Sequence, residues 1–402
     1  MILRYFYDDY LAQASYMLGC AKTGEALIID PNRDIDQYVE EAQKEGLSIT
    51  QVIETHIHAD FVSGGRELAA KCGASFYVSG MRDGVAAYDF TDDDNVITVQ
   101  DNDTWFVGNI RLKILYTPGH TPEHISIMIT DTAASDHPLG IFTGDFLFAG
   151  DIGRPDLLET AVGQQGTKEQ GARQQWQNVQ QFKEFPDYLQ VWPGHGAGSA
   201  CGKALGAVPS TTVGYEKRVN PAFQHQDEAE FIAWVLADQP SPPRYFAQMK
   251  NVNKVGPAMQ TSLTQPQSSS SDLQNKPGQT IQLMDFRPMT DFTTAHIPNA
   301  INIPAQNRSF LTYVGWFVDY ERPLHFIASD DQQAQEIINR LRTIGVDNVG
   351  GYLVEDQTNS FNYTSLPQIT LDDLKQCLPQ NTLTVLDVRN EQEFTQTHIK
   401  NA

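Results

Sequence analysis

Four short apolar segments each run into a turn that carries histidine or aspartate, and that recurrence limits the folds open to this chain. The segments lead into Thr55-His-Ile-His-Ala-Asp60, Tyr116-Thr-Pro-Gly-His120, Phe142-Thr-Gly-Asp145 and Val191-Trp-Pro-Gly-His195. Open α/β sheets gather their sites at strand ends, so turns of this kind can converge on one cleft. Imidazole and carboxylate together suit a borderline divalent metal. A lone histidine after a strand is usually a surface or hydrogen-bonded residue. Four such turns in one region argue for a shared centre.

The surrounding pattern agrees with an α/β class. Ala26–Asp30, Thr50–Thr55, Leu112–Tyr116, His124–Ile129 and Leu139–Phe142 read as strands, and Ile35–Glu45 has helical spacing with a stop at Gly46. The 402 residues favour two or three domains. With 28 Lys+Arg against 50 Asp+Glu, the net charge is -22, which excludes nucleic acid and an anionic membrane surface as main partners. Cys20, Cys72, Cys201 and Cys377 are too far apart for a C-x-x-C pair, so a reducing, cytoplasmic setting is expected. Cys20 and Cys72 read as packing residues. The start of the chain lacks the apolar run of a secretory signal, and no stretch is apolar enough to span a membrane.

The motif set resembles the metallo-β-lactamase superfamily, whose signature is T-H-x-H-x-D-H followed by His, Asp and His at later strand ends. The resemblance covers residues 1–240 and implies an αββα sandwich. One position departs from the signature: Phe61 stands where the last histidine belongs. In the dinuclear hydrolases of the superfamily that histidine ligates the second metal, which phenylalanine cannot do. Leu115–His124, Gly144–Asp156 and Pro193–Gly202 further resemble the persulfide dioxygenase branch and its fusions to rhodanese modules. That resemblance implies one Fe(II) per chain held by His56, His120 and Asp145, a 2-His-1-carboxylate triad with three open faces. His58, Asp60 and His195 then orient ligands and protons beside it. Arg154 is a candidate to grip a substrate carboxylate, with a structural salt bridge as the competing reading. Tyr215 and Arg218 are candidates for the same pocket, against a packed or surface role. Cys201 is a candidate near the cleft, against a buried inert thiol.

The second half contains a repeat. Met284–Ala300 matches Leu386–Ala402 without a gap, pairing Asp285 with Asp387, Arg287 with Arg389, Phe292 with Phe394 and His296 with His398. These strings resemble the entry motifs of rhodanese domains, which implies parallel-sheet α/β modules. Active rhodaneses place a cysteine after the next buried strand. Here Leu324–Ala328 is followed by Ser329, Asp330 and Asp331, so the first module reads as a pseudo-rhodanese. The equivalent position of the second copy, near 431, falls past the residues given, and a continuation of the chain is expected. The expected organisation is a metal domain over 1–240, a connecting segment and Gln/Ser-rich linker over 241–275, a pseudo-rhodanese over 276–366 and the start of a second module over 367–402.

Together these readings lead to a persulfide dioxygenase that oxidises a low-molecular-weight thiol persulfide with O2, in sulfide detoxification. A homodimer or homotetramer is expected from the resemblance. The rival enzyme is a zinc thioester hydrolase of the glyoxalase II type using a metal-bound hydroxide. A third reading, from a different class, is a non-catalytic sulfur-sensing scaffold.

Overall fold

Period-two burial sorts the strand residues into separate layers. In the strand Glu25–Ile29, Ala26 and Ile28 join one apolar cluster while Leu27 and Ile29 join another. The computed structural model describes residues 1–80, 87–93, 95–263, 265–267, 281–354, 362–380, 383–389, 391–400 and 402. The first sheet runs in the order β1 (Ile2–Asp8), β2 (Gln13–Cys20), β3 (Glu25–Ile29), β4 (Ser48–Ile53), β5 (Ser75–Ser79) and β6 (Val96–Val99). The second comprises β7 (Thr104–Val107), β8 (Ile110–Tyr116), β9 (Ile125–Asp131), β10 (Gly140–Gly144), β11 (Gln190–Pro193) and β12 (Thr211–Thr212), again in sequential order.

The two sheets face each other through Leu27, Ile29 and Ile53 on one side and Leu112, Ile127 and Phe142 on the other. Helices Asp36–Lys44 and Gly65–Cys72 cover the outer face of the first sheet through Tyr38, Ala42, Leu68 and Ala69. Thr167–Lys183 and Glu228–Leu236 cover the second through Val179, Phe182, Phe231 and Val235. These layers form the αββα sandwich expected of residues 1–240. Cys20 is buried between the sheets, and Cys72 packs at the edge of the first helical layer.

A third sheet follows, ordered β14 (Ile301–Asn302), β13 (Gln282–Asp285), β15 (Leu324–Ala328) and β16 (Val349–Val354), with every pairing parallel. The segment expected as a connector is partly helical instead. Phe246–Val255 is an α-helix, and Phe246, Met249 and Asn253 are buried at the three-to-four-residue spacing of one helix face. The Gln/Ser-rich composition begins only after this helix, and the tract Ser268–Gly278 lies outside the described residues. Tyr245, Phe246 and Met249 belong to a single apolar cluster that takes in Phe61, Val62 and Phe148 from the sandwich and Phe286, Phe326 and Leu341 from the third sheet region. Polar bonds cross the same junction: Val62 N–H donates to the Thr343 carbonyl at 2.7 Å, and buried Arg33 grips both Asp347 oxygens at 2.6 and 3.0 Å. Among the described residues no helix is long and apolar enough to cross a membrane.

The sequence repeat recurs as repeated local geometry. Arg287 donates Nε to Asp285 Oδ1 at 3.0 Å and Nη2 to Oδ2 at 2.7 Å, while His296 stacks on Phe292 at 4.0 Å. Arg389 and Asp387 form the same fork at 3.0 and 2.6 Å, and His398 stacks on Phe394 at 4.0 Å. Surroundings separate the copies. Asp285 is buried on a central strand, whereas the second copy forms no strand over 383–389, where Leu386 and Val388 are exposed. Asp285→Ala is therefore expected to remove a buried two-point carboxylate grip on a guanidinium and cost about 3–5 kcal/mol. Asp387→Ala should leave the urea midpoint unmoved; equal shifts for the two would overturn this reading of their surroundings.

Candidate metal centre

Each polar group of the centre leaves the carboxyl end of a strand. His56 follows β4, His120 follows β8, Asp145 follows β10 and His195 follows β11. The turn at Gly144 adopts a positive φ of 47°, and an added Cβ would lie 2.6 Å from Thr55 Oγ1 and 2.8 Å from His124 Nε2. Only glycine lets the backbone carrying Asp145 approach so closely.

His56, His120 and Asp145 each offer a ligand atom, and those atoms lie within 4.8 Å of one another. Asp145 Oδ2 stands 3.8 Å from His56 Nε2, 3.5 Å from His120 Nε2 and 3.4 Å from His195 Nε2. Hydrogen bonds on the far side of each ring fix its orientation. Thr55 donates its hydroxyl to Asp30 Oδ2, which leaves its oxygen to accept from His56 Nδ1 at 2.9 Å. His120 Nδ1 donates to the Arg154 carbonyl at 2.9 Å, and His195 Nδ1 donates to the Ala12 carbonyl at 3.0 Å. The Nε2 lone pairs of His56 and His120 therefore face the centre.

Burial pushes His120 down to about 4 against the opposing pull of Asp145. Burial and the neighbouring His58 hold His56 well below its ordinary value. Both rings are thus neutral at physiological pH, the form that binds metals. His56 Nε2 and both oxygens of Asp145 are buried with no hydrogen-bond partner among the described residues. Bare buried polar atoms are costly, and a cation among them removes the cost. The donor set therefore fits a metal ion.

The remaining expected residues divide. His195 Nε2 lies 3.1 Å from Asp60 Oδ2, and although burial opposes it, Asp145 and Asp60 hold this imidazole well above its ordinary value. Cys201 completes a second group with Asp60 and His195, its ligand atom also within 4.8 Å of theirs. Burial, with Asp60 and Asp145 adding to it, pushes the Cys201 thiol up to about 12. Protonated and buried, it fits the inert reading rather than the reactive one. His58 turns Nε2 away to Asp30 Oδ1 at 3.2 Å.

Three expected substrate contacts are corrected. The Arg154 guanidinium is buried and fully engaged, bonding both Asp156 oxygens at 2.8 and 2.7 Å and the Pro240 carbonyl at 2.7 Å. It is a structural salt bridge, and its contribution to the site is the backbone carbonyl that orients His120. Tyr215 and Arg218 lie exposed on the helix Val213–Val219, away from the cavity that opens at His195.

Two supporting residues were missed. Asp30 accepts from Thr55 N–H at 2.7 Å, from the Thr55 hydroxyl and from His58, organising the whole motif loop. Its signal was available, since it too is an acid at the end of an apolar strand. His124 accepts from Asp145 N–H at 3.0 Å, and burial pushes its imidazole down to about 3, so it stays an acceptor.

A family model described as the metallo-beta-lactamase superfamily matches residues 9–195. A solved metallo-beta-lactamase from Staphylococcus aureus is 43% identical, covers 88% of this chain and 99% of its own, and superposes with a TM-score of 0.80. ETHE1 from Myxococcus xanthus is 26% identical over 63% of this chain and 98% of its own, with a TM-score of 0.51. Hydroxyacylglutathione hydrolase from Nitrosococcus oceani is 33% identical over 45% of this chain. The match to that hydrolase spans 61% of the relative's own length.

Proposed function

The chain belongs to the metallo-β-lactamase superfamily, and from that premise we propose that it is an Fe(II)-dependent persulfide dioxygenase. The observation that carries the reading is the pairing of a compact His56–His120–Asp145 triad with a wholly apolar Phe61 at the motif position that would ligate a second metal. The sequence resemblance to persulfide dioxygenases and the likeness to ETHE1 support it. Overall, R-S-SH, O2 and water become R-SH, sulfite and two protons.

Iron(II), when bound, supplies open coordination positions and the electron chemistry that O2 requires. The chain's own residues do the rest. Thr55 and the Arg154 carbonyl lock the two ligand rings, so little reorganisation is left for binding. His195, flanked by Asp60 and Asp145, holds a proton at Nε2 beside the triad, where it can pass to the departing thiolate. Buried walls around Asp145 exclude bulk water from the reacting sulfur.

A zinc thioester hydrolase is the second reading. It is favoured by the Asp60–His195–Cys201 group, which could hold a second ion, and by the 33% identity to a hydroxyacylglutathione hydrolase. Metal analysis of anaerobically purified protein, with oxygen uptake recorded on adding glutathione persulfide, separates the two. One iron per chain with persulfide-dependent uptake is expected. Two zincs per chain, no uptake and turnover of a glutathione thioester would replace the first reading with the second.

A further inference from the structure

A cavity that reaches the centre at His195 is lined by both the sandwich and the third-sheet region. A cavity of about 550 Å3 ends on His195 and is walled by Tyr5 and Tyr7 of β1, whose rings stack at 5.7 Å. Its far wall is Arg308, Ser309 and Thr312, at the start of the helix Phe310–Phe317. That volume suits a ligand of small-cofactor size.

Arg308 differs from the other arginines of this region. Arg33, Arg154 and Arg287 are buried and gripped by carboxylates, whereas Arg308 is exposed and makes no hydrogen bond or ion pair among the described residues. The lining holds one carboxylate, Asp9, which forms no ion pair with it. A guanidinium offers a planar fork that matches carboxylate or phosphate oxygens. The Ser309 hydroxyl caps nothing, and the first amides of the helix favour an anion beside it. A chain of net charge -22 repels an anionic ligand at long range, so a local cation at the entrance carries unusual weight.

We propose that Arg308 is a specificity-determining residue, gripping a carboxylate or phosphate on the tail of the thiol whose sulfur end lies at His195. The tyrosine wall covers the middle of that ligand. This deepens the persulfide reading and rests on it for the sulfur end alone. The third-sheet region, which lacks a cysteine after Leu324–Ala328, would then serve the site by completing its entrance.

The test is calorimetric binding to the full metal-loaded chain, using unreactive S-methyl glutathione, S-methyl coenzyme A and the neutral S-methyl derivative of 2-mercaptoethanol. The unsubstituted protein is expected to prefer at least one anionic ligand over the neutral one. Arg308→Ala should lower that preference about tenfold, and Arg308→Lys should keep part of it. Loss confined to the glutathione derivative assigns a carboxylate, and loss confined to the coenzyme A derivative assigns a phosphate. An unchanged preference in Arg308→Ala, or none in the unsubstituted protein, overturns the proposal. Because no turnover is involved, absent oxygen uptake would count against the dioxygenase reading and leave the binding result intact.

Discussion

Replacing Asp145 by alanine is expected to lower both retained metal and oxygen uptake by at least about a hundredfold, beyond the range for removing an outer hydrogen-bond partner. Asp145 is fully buried, and its Oδ2 lies within 3.8 Å of the Nε2 atoms of three imidazoles. It is the anionic donor of the triad, and no other residue of that group can replace its charge. Asp30→Asn should be milder, roughly ten- to a hundredfold in metal affinity, because it loosens the Thr55 and His58 contacts without removing a ligand. The metal-free proteins should behave in the opposite order. Both Asp145 oxygens are buried without a hydrogen-bond partner among the described residues, and His195 keeps Asp60 at 3.1 Å when Asp145 is gone, so alanine there relieves a desolvated charge and the thermal midpoint should not fall. Asp30 is fully engaged, and its amide variant should unfold earlier. Full metal retention in Asp145→Ala would remove the triad from consideration.

The centre was legible in the sequence because its chemistry is local. Each ligand follows its strand by a few residues, so strand pattern and turn residues together locate it. The αββα layers were legible for a related reason, since Ala26/Ile28 and Leu27/Ile29 alternate between two faces that both need covering. Arg154 was not legible, because a guanidinium that grips a substrate and one that grips Asp156 look identical until the partner is known. The helix Phe246–Val255 was hidden by its position just before a Gln/Ser-rich tract, although Phe246, Met249 and Asn253 carry the spacing of a buried face. Contacts between distant segments, such as Arg33 with Asp347 or Val62 with Thr343, leave no local pattern at all. The entrance at Arg308 belongs to this last kind.

Phe61→Ala is expected to cost about 3–5 kcal/mol in global stability, measured by urea unfolding of the full chain. The ring is completely buried, stands 4.3 Å from the His58 ring and sits in the cluster that joins the sandwich to Phe246, Met249 and the third-sheet region. Its backbone is held as well, because Asn253 Nδ2 donates to the Phe61 carbonyl at 2.7 Å and Val62 N–H reaches Thr343. Truncation therefore opens a void at a junction pinned on both sides, where neighbours can collapse only partly. Phe61→Leu keeps most of the volume and should cost about 1 kcal/mol. Phe61→His places an unpartnered imidazole in the same apolar surroundings, so it should destabilise as well unless a second ion binds. The phenylalanine would then trade a ligand of a second metal for the packing that attaches the C-terminal region to the metal loop. A loss below about 1 kcal/mol in Phe61→Ala would mean that the ring is dispensable to the junction, and the absence of the motif histidine would need another cause.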